Sequence, residues 1–300
     1  MLAMKMFWKV AIVGVVLVFI VSSAALIGYL AYKASGFGDA VYVIPIKGMI
    51  TLDGCEGGLF EMASCTTVSD VKEALEEAES DPTVKAVILD VNSGGGSVVA
   101  SREMMRVVKS SKKPVVAWIG EAGASGAYYV VSAADYIVAD RDSMMGSIGV
   151  IASFVQYYDL MGEIGVNVTV IKSGETKDMG SPYRPMTEEE QELMQDMIDK
   201  IYLDFVGDVA ENRGLSQDFV ENISSGQVYL GSEALTLGLI DAVGGFDEAV
   251  SVAKNLGGLS GEPRIVRPER QESLLELINQ LYGFKYIPLH NIGYTKFMVV

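Results

Sequence analysis

Ser125 stands among small residues in Glu121-Ala-Gly-Ala-Ser-Gly-Ala-Tyr-Tyr129, in a chain whose single histidine is His290. A serine nucleophile needs a neighbouring base to take its proton. With one histidine, close to the carboxyl end, the Ser-His-Asp relay is nearly excluded by inventory. A lysine is the natural substitute. Lys177 lies in the Gly-rich, turn-like stretch Lys172-Ser-Gly-Glu-Thr-Lys177-Asp-Met-Gly-Ser-Pro182, where Lys172 competes for the same role. A lysine of ordinary pKa, about 10.4, holds its proton near neutrality, so a basic role requires a dehydrating pocket. An exposed loop lysine, or a serine that is small because two elements pack closely, is the plainer reading of each residue alone. A third feature is Asn92-Ser-Gly-Gly-Gly96. It is either a flexible turn or a stretch whose bare N–H groups can approach a tetrahedral oxyanion. Neither Gly-x-x-x-x-Gly-Lys-Ser/Thr nor Gly-x-Gly-x-x-Gly is present there, which argues against a phosphate cradle.

The elements that must hold these residues read as alternating strands and helices. Strands are expected over residues 40–50, 86–91, 114–119, 136–139 and 166–171. Helices are expected from Ser69, from Val98 to Ser110, from Ala127 to Ala134, and from Thr187 to about Arg213. Short apolar runs such as Ala86-Val-Ile-Leu-Asp-Val91 suit strands covered on both faces, so the fold class is α/β with largely parallel strands. The glycine loop and the Ser125 turn each follow a strand and lead into a helix. Both therefore fall at the carboxyl ends of the strands, where open α/β sheets form their sites.

From Val10 to Tyr32 no charged residue occurs. A helix of that length, rising about 1.5 Å per residue, covers roughly 35 Å, enough to cross the hydrocarbon layer. The run is longer than a cleavable signal core and lacks a clear small-x-small site, so it reads as a retained anchor. Lys5 and Lys9 before it, against Lys33 after it, put the amino terminus in the cytoplasm and the remainder outside. The expected organisation is a cytoplasmic N-terminus 1–9, an anchor 10–32, a linker 33–39, a catalytic domain 40–260, and a C-terminal helix and tail 261–300. A net charge of −16 argues against nucleic acid as a partner. Cys55 and Cys65, the two cysteines, have nothing nearby to complete a metal site. A small disulfide-closed loop and two separate thiols both remain open for them.

Five segments taken together resemble the signal peptide peptidase A family, membrane-anchored serine peptidases of the crotonase/Clp-protease superfold, built from repeated β-β-α units. They are Asn92-Ser-Gly-Gly-Gly96, Gly123-Ala-Ser-Gly-Ala-Tyr-Tyr129, Ala133-Ala-Asp-Tyr-Ile-Val-Ala139, Gly146-Ser-Ile-Gly-Val-Ile151, and Lys172 through Ser181-Pro-Tyr-Arg184. The resemblance runs in order from about Val41 to Ala253. It implies Ser125 as nucleophile and Lys177, rather than Lys172, as general base. It implies Ser147 as the hydroxyl that positions the lysine, and Gly96 with Gly95 as the oxyanion hole. One departure is that Gly94 stands where the family usually carries proline, so the loop should be less rigid before substrate binds. The resemblance further implies acyl transfer without metal or other cofactor, and apolar peptide substrates, especially signal peptides left in the membrane. It also implies a membrane-held, ring-like homo-oligomer. Alternatives are a homologue that cleaves one specific membrane protein, an inactive scaffold of the same fold, and, ranked low, an acyl-CoA hydratase.

Overall fold

The computed structural model describes residue 14 and residues 16–28, 38–54 and 64–268. Its frame is one sheet of nine strands: β1 (Ala40–Thr51), β2 (Cys65–Thr67), β3 (Val84–Gly96), β4 (Val115–Ala124), β5 (Tyr136–Ala139), β6 (Met144–Gly146), β7 (Val228–Leu230), β8 (Ala242–Val243) and β9 (Arg264–Val266). Between residues 64 and 268 the α-helices are α1 (Val68–Ser80), α2 (Val98–Lys109), α3 (Gly126–Val131), α4 (Tyr158–Glu163), α5 (Glu188–Arg213), α6 (Gln217–Asn222), α7 (Gly231–Thr236) and α8 (Phe246–Leu256). The strand order is β2-β1-β3-β4-β5-β8, with β9 also on β1 and the β6–β7 pair on β4. All pairings are parallel except β6 with β7.

Side-chain alternation along the strands explains why the central strands are apolar at nearly every position. Ile44 and Ile46 of β1, Leu89 and Val91 of β3, and Ala117 and Ile119 of β4 face one layer, which holds the buried residues of α1, α2, α3 and α5. Val41, Val43, Ala86, Ile88, Val116 and Val138 face the other, against Ala249 and Ala253 of α8. Each fully buried Val, Leu or Ile contributes about 1.5–3 kcal/mol of transfer free energy.

Helix starts follow capping chemistry. Thr67 and Asp70 close a capping box on α1, Ser97 caps α2, and Thr187 with Glu190 closes a capping box on α5. α5 ends at Gly214, whose left-handed backbone (φ 64°) suits glycine.

Two sequence expectations are modified. β3 continues through the glycine run to Gly96, and β4 continues to Ala124, so both strands extend into the expected site loops rather than stopping before them. Residues 166–171 form no strand, because nothing among the described residues pairs with them. The expected membrane span at 10–32 lies partly outside the described residues. Residues 16–28 are helical, and no helix among the described residues is long and apolar enough to cross a membrane. Cys65 is disulfide-bonded, while Cys55 and the expected helix and tail beyond residue 268 lie outside the described residues.

Candidate active site

β4 passes into α3 without a loop, and Ser125 is the single residue at that corner, with φ 52° and ψ −125°. Such a conformation is uncommon for a side chain with a Cβ and costs on the order of 1–3 kcal/mol. It is held by its surroundings. The Ser125 N–H donates to the Gly146 carbonyl at 2.8 Å, and the Ser125 carbonyl accepts from Tyr129 N at 2.9 Å. All six residues of α3 are buried, which fixes the far side of the corner. The Ser125 side chain makes no capping hydrogen bond to its own helix. A hydroxyl carried on a sharp strand-to-helix turn and not engaged with the helix is the arrangement of a nucleophile.

The glycine run interlocks with this corner. Gly95 has φ 105°, and a Cβ there would lie 2.6 Å from Gly126 N and 3.1 Å from the Ser125 Cβ. A Cβ on Gly96 would meet the Ile50 carbonyl oxygen at 1.9 Å. One on Gly126 would meet Ser101 Oγ at 2.2 Å and Gly96 N at 3.1 Å. Gly95, Gly96 and Gly126 therefore pack backbone to backbone at the serine. The Gly126 N–H, the first of α3, has no partner within its helix. The Ile50 carbonyl is taken by Ser97 N at 3.0 Å, one residue beyond Gly96. This cluster of N–H groups beside a hydroxyl is suited to receive a developing oxyanion.

Ser93, which sequence reasoning passed over, organises the run. Its buried Oγ donates to the Gly48 carbonyl at 2.6 Å and accepts from Gly95 N at 3.1 Å. The signal was present as the residue preceding the glycines in Asn92-Ser-Gly-Gly-Gly96, but a single serine in a glycine loop does not announce two backbone partners.

Ser147 follows β6, whose Gly146 lies opposite Ala124 in the sheet. Ser147 also has positive φ (47°), and its N–H donates to the Gln227 carbonyl at 2.8 Å. Ser125, Gly95, Gly96 and Ser147 are thus gathered at one corner of the sheet.

Lys177 is not joined to them. It lies in the 3-10 turn Glu175–Asp178, is exposed, and makes no hydrogen bond or ion pair with a side chain among the described residues. Lys172 is committed elsewhere: its Nζ donates to the Glu175 carbonyl at 2.5 Å and to Asp178 Oδ1 at 2.6 Å. The segment between Ser147 and α5 leaves the body of the sheet as an arm. Its apolar residues Ile151, Val155, Leu160, Ile164, Val170 and Ile171 are exposed. The arm folds back once, where Tyr157 N donates to the Pro182 carbonyl at 3.0 Å and the Tyr157 and Tyr183 rings meet edge to face at 5.7 Å.

Residues 108–260, which include Ser125, Ser147 and Lys177, match the family model described as Peptidase family S49. A Methanocaldococcus jannaschii protein named as an inferred protease is 45% identical over 221 residues, 73% of this chain and 69% of that one. Protease 4 of Haemophilus influenzae is 38% identical over 73% of this chain and 35% of its own length. The chloroplast serine protease SPPA of Arabidopsis thaliana is 31% identical over 83% of this chain and 37% of its own. The chain thus spans little more than a third of the length of these last two relatives. Among solved structures, the 1510-N membrane-bound stomatin-specific protease with a substrate peptide is similar with a TM-score of 0.54. The identity is 19%, covering 81% of this chain and 99% of that one. At that identity the likeness concerns the fold.

Proposed function

The chain belongs to peptidase family S49, a family of serine peptidases, and we propose that it is an endopeptidase in which Ser125 is the nucleophile and Lys177 the general base. The observation that carries this reading is the Ser125 corner itself: a positive-φ serine with an unengaged hydroxyl, against the backbone of Gly95, Gly96 and Gly126. In the reaction, neutral Lys177 takes the Ser125 proton as Oγ attacks a peptide carbonyl. The N–H groups of Gly96 and Gly126, beside Gly95, hold the oxyanion. Lys177 then returns the proton to the leaving amine, and water, deprotonated by the same lysine, hydrolyses the ester. Ser147, one residue beyond the carbonyl that Ser125 N binds, is the group to steady the lysine once it arrives.

Arrival is the condition. Lys177 rides on an exposed arm whose apolar side chains are uncovered in one chain, so seating the arm in an assembly is the step that would bring the amine to Ser125. A ring-like homo-oligomer, on the crotonase/Clp-protease pattern of repeated β-β-α units, is the assembly proposed. Lys172 is the weaker candidate for the base because its amine is spent on Asp178.

Substrates are apolar peptides, signal peptides left in the membrane among them. Met49 and Val99 support this: both are large, apolar and about 60% exposed (61% and 58%), one opposite Gly95 in the sheet and one in the first turn of α2 just after Gly96. Residues 10–32 would anchor the protein in the membrane with its catalytic domain outside the cytoplasm.

Hydrolysis of apolar peptides by the wild type and by Ser125→Ala, Lys177→Ala and Lys172→Ala tests the dyad. Ser125→Ala and Lys177→Ala are each expected to lose at least about 10³-fold in kcat/KM, with Lys172→Ala falling far less. Activity that survives Lys177→Ala but not Lys172→Ala would move the base to Lys172.

A further inference from the structure

We propose that Arg184 is a positioning residue for Lys177: it clamps the turn carrying this lysine to the start of α5 and, with Lys172, occupies the carboxylate next to it. The proposal rests on Lys177 being the base. Arg184 joins two carboxylates at once. Its Nε and Nη2 donate to Asp178 Oδ2 and Oδ1 at 3.0 and 2.6 Å. Its Nη1 and Nη2 donate to Glu190 Oε2 and Oε1 at 2.7 and 2.5 Å, and Nη1 also reaches the Pro185 carbonyl at 2.9 Å. Such double, two-pronged pairing uses the planar fork of a guanidinium and cannot be copied by an ammonium group.

The two carboxylates belong to parts of the chain with very different anchorage. Asp178 ends the 3-10 turn, one residue after Lys177. Glu190 is the third residue of α5, is 3% exposed, and also accepts from Thr187 N at 3.0 Å in the capping box. Further along, Phe205, Val206, Val209 and Ala210 bury α5 in the core. Arg184 thus ties an exposed turn to the first turn of a helix whose far half is buried in the core.

The pairing also settles where the local charges go. Asp178 is the carboxylate nearest Lys177 in sequence, and three N–H donors, two from Arg184 and one from Lys172, already occupy it. Two cations and two anions close the cluster at no net charge, and Lys177 stands outside it with its amine unspent. Hydrogen bonds from Arg184 and Lys172 hold the Asp178 carboxyl well below the usual range, and those from Arg184 and Thr187 hold Glu190 at about 2. Both stay ionised across the neutral range, so protonation does not open the clamp there. An amine meant to act as a base is better kept from a carboxylate, which would favour its charged form.

The test measures kcat and KM for peptide hydrolysis by the full chain as wild type, Arg184→Ala, Arg184→Lys, Asp178→Asn, Lys177→Ala and the Arg184→Ala/Lys177→Ala pair. Arg184→Ala is expected to lower kcat about 10–100-fold, as a displacement near 1 Å does, with KM held within about twofold. Arg184→Lys should recover only a small part. The double variant should be no slower than Lys177→Ala alone. Asp178→Asn, nearly isosteric, cuts only the side of the clamp that faces Lys177. It should lower kcat in the same direction, and it carries the test if Arg184→Ala fails to fold. Full kcat in Arg184→Ala and Asp178→Asn, with Lys177→Ala inactive, would overturn the clamp and leave the dyad standing. An Arg184→Ala loss that repeats in full in the Lys177→Ala background would mean a merely structural role and overturn it too. An active Lys177→Ala would remove the base, and the clamp with it.

Discussion

The corner that carries Ser125 and the turn that carries Lys177 are built in opposite ways. Ser125 closes β4, in the middle of a sheet whose faces are covered on both sides, and its neighbours Ala127, Tyr128 and Val130 are fully buried. Lys177 sits on an arm whose Ile171 is 95% exposed and which holds its form through polar contacts at its base. The proposed nucleophile Ser125 and the N–H groups beside it are set by folding, whereas the proposed base Lys177 is held in its own turn but not against Ser125. On the proposed dyad, half of the machinery is set when the chain folds and the other half by a later event. The first half leaves no room for a Cβ at Gly95, Gly96 or Gly126, and the second is held by charge pairs at Asp178.

The sharpest way to break this comparison is at the buried corner. Gly126→Ala would force a methyl into Ser101 Oγ, 2.2 Å away. It is expected to lower stability by about 1–3 kcal/mol and kcat by about 100-fold through displaced N–H groups, read by denaturant titration and peptide hydrolysis. Ser101 Oγ has no hydrogen-bond partner among the described residues, so adding Ser101→Ala to that variant should restore part of the stability at little cost of its own.

A matched pair of truncations compares the two regions directly. Ile88→Ala, in the sheet at 0% exposure, is expected to cost about 2–5 kcal/mol. Ile171→Ser on the arm should leave unfolding within about 0.5 kcal/mol of wild type, yet reduce the assembled mass in sedimentation and the activity with it. An Ile171→Ser protein that assembles and works normally would detach the arm from assembly.

The smallest effect is expected at Gly94. A Cβ there meets nothing within 4 Å. Gly94→Ala should therefore stabilise the fold by about 0.4–1 kcal/mol by narrowing the unfolded ensemble. It should also raise kcat/KM slightly by stiffening the run that holds Gly95 and Gly96. Unchanged or lower thermal stability would show that the run needs a conformation closed to alanine.

Much of the buried half was legible in the residues. Apolar runs at Ala86–Val91 and Val115–Ile119, glycines after them and the capping residue before α5 specify a parallel α/β frame by local chemistry alone, whereas α1 is capped by Thr67, two residues before the expected start at Ser69. Their boundaries were harder. β3 and β4 run on through glycine and alanine, residues that weaken strand propensity, because neighbouring strands supply the hydrogen bonds. The alternation Val166-x-Val168-x-Val170 reads as a strand by its period of two, but a strand also needs a partner, and the described residues supply none. The order of the two lysines along the chain likewise says nothing of which one Asp178 will take. That choice is made by the fold of a turn, through atoms three to six residues apart.

The pairing of β9 with β1 has a consequence in time rather than in space. Arg264, Ile265 and Val266 lie beside Ala40, Val41 and Tyr42, and Arg264 N donates to the Asp39 carbonyl at 3.1 Å. The first strand of the domain to be synthesised therefore waits for the last. At about 5–20 residues per second on the ribosome, that wait is roughly eleven to forty-five seconds. Throughout it the amino-terminal end of β1 presents an open edge to its surroundings, and a nascent chain is finished as a sheet only when translation has all but passed the domain.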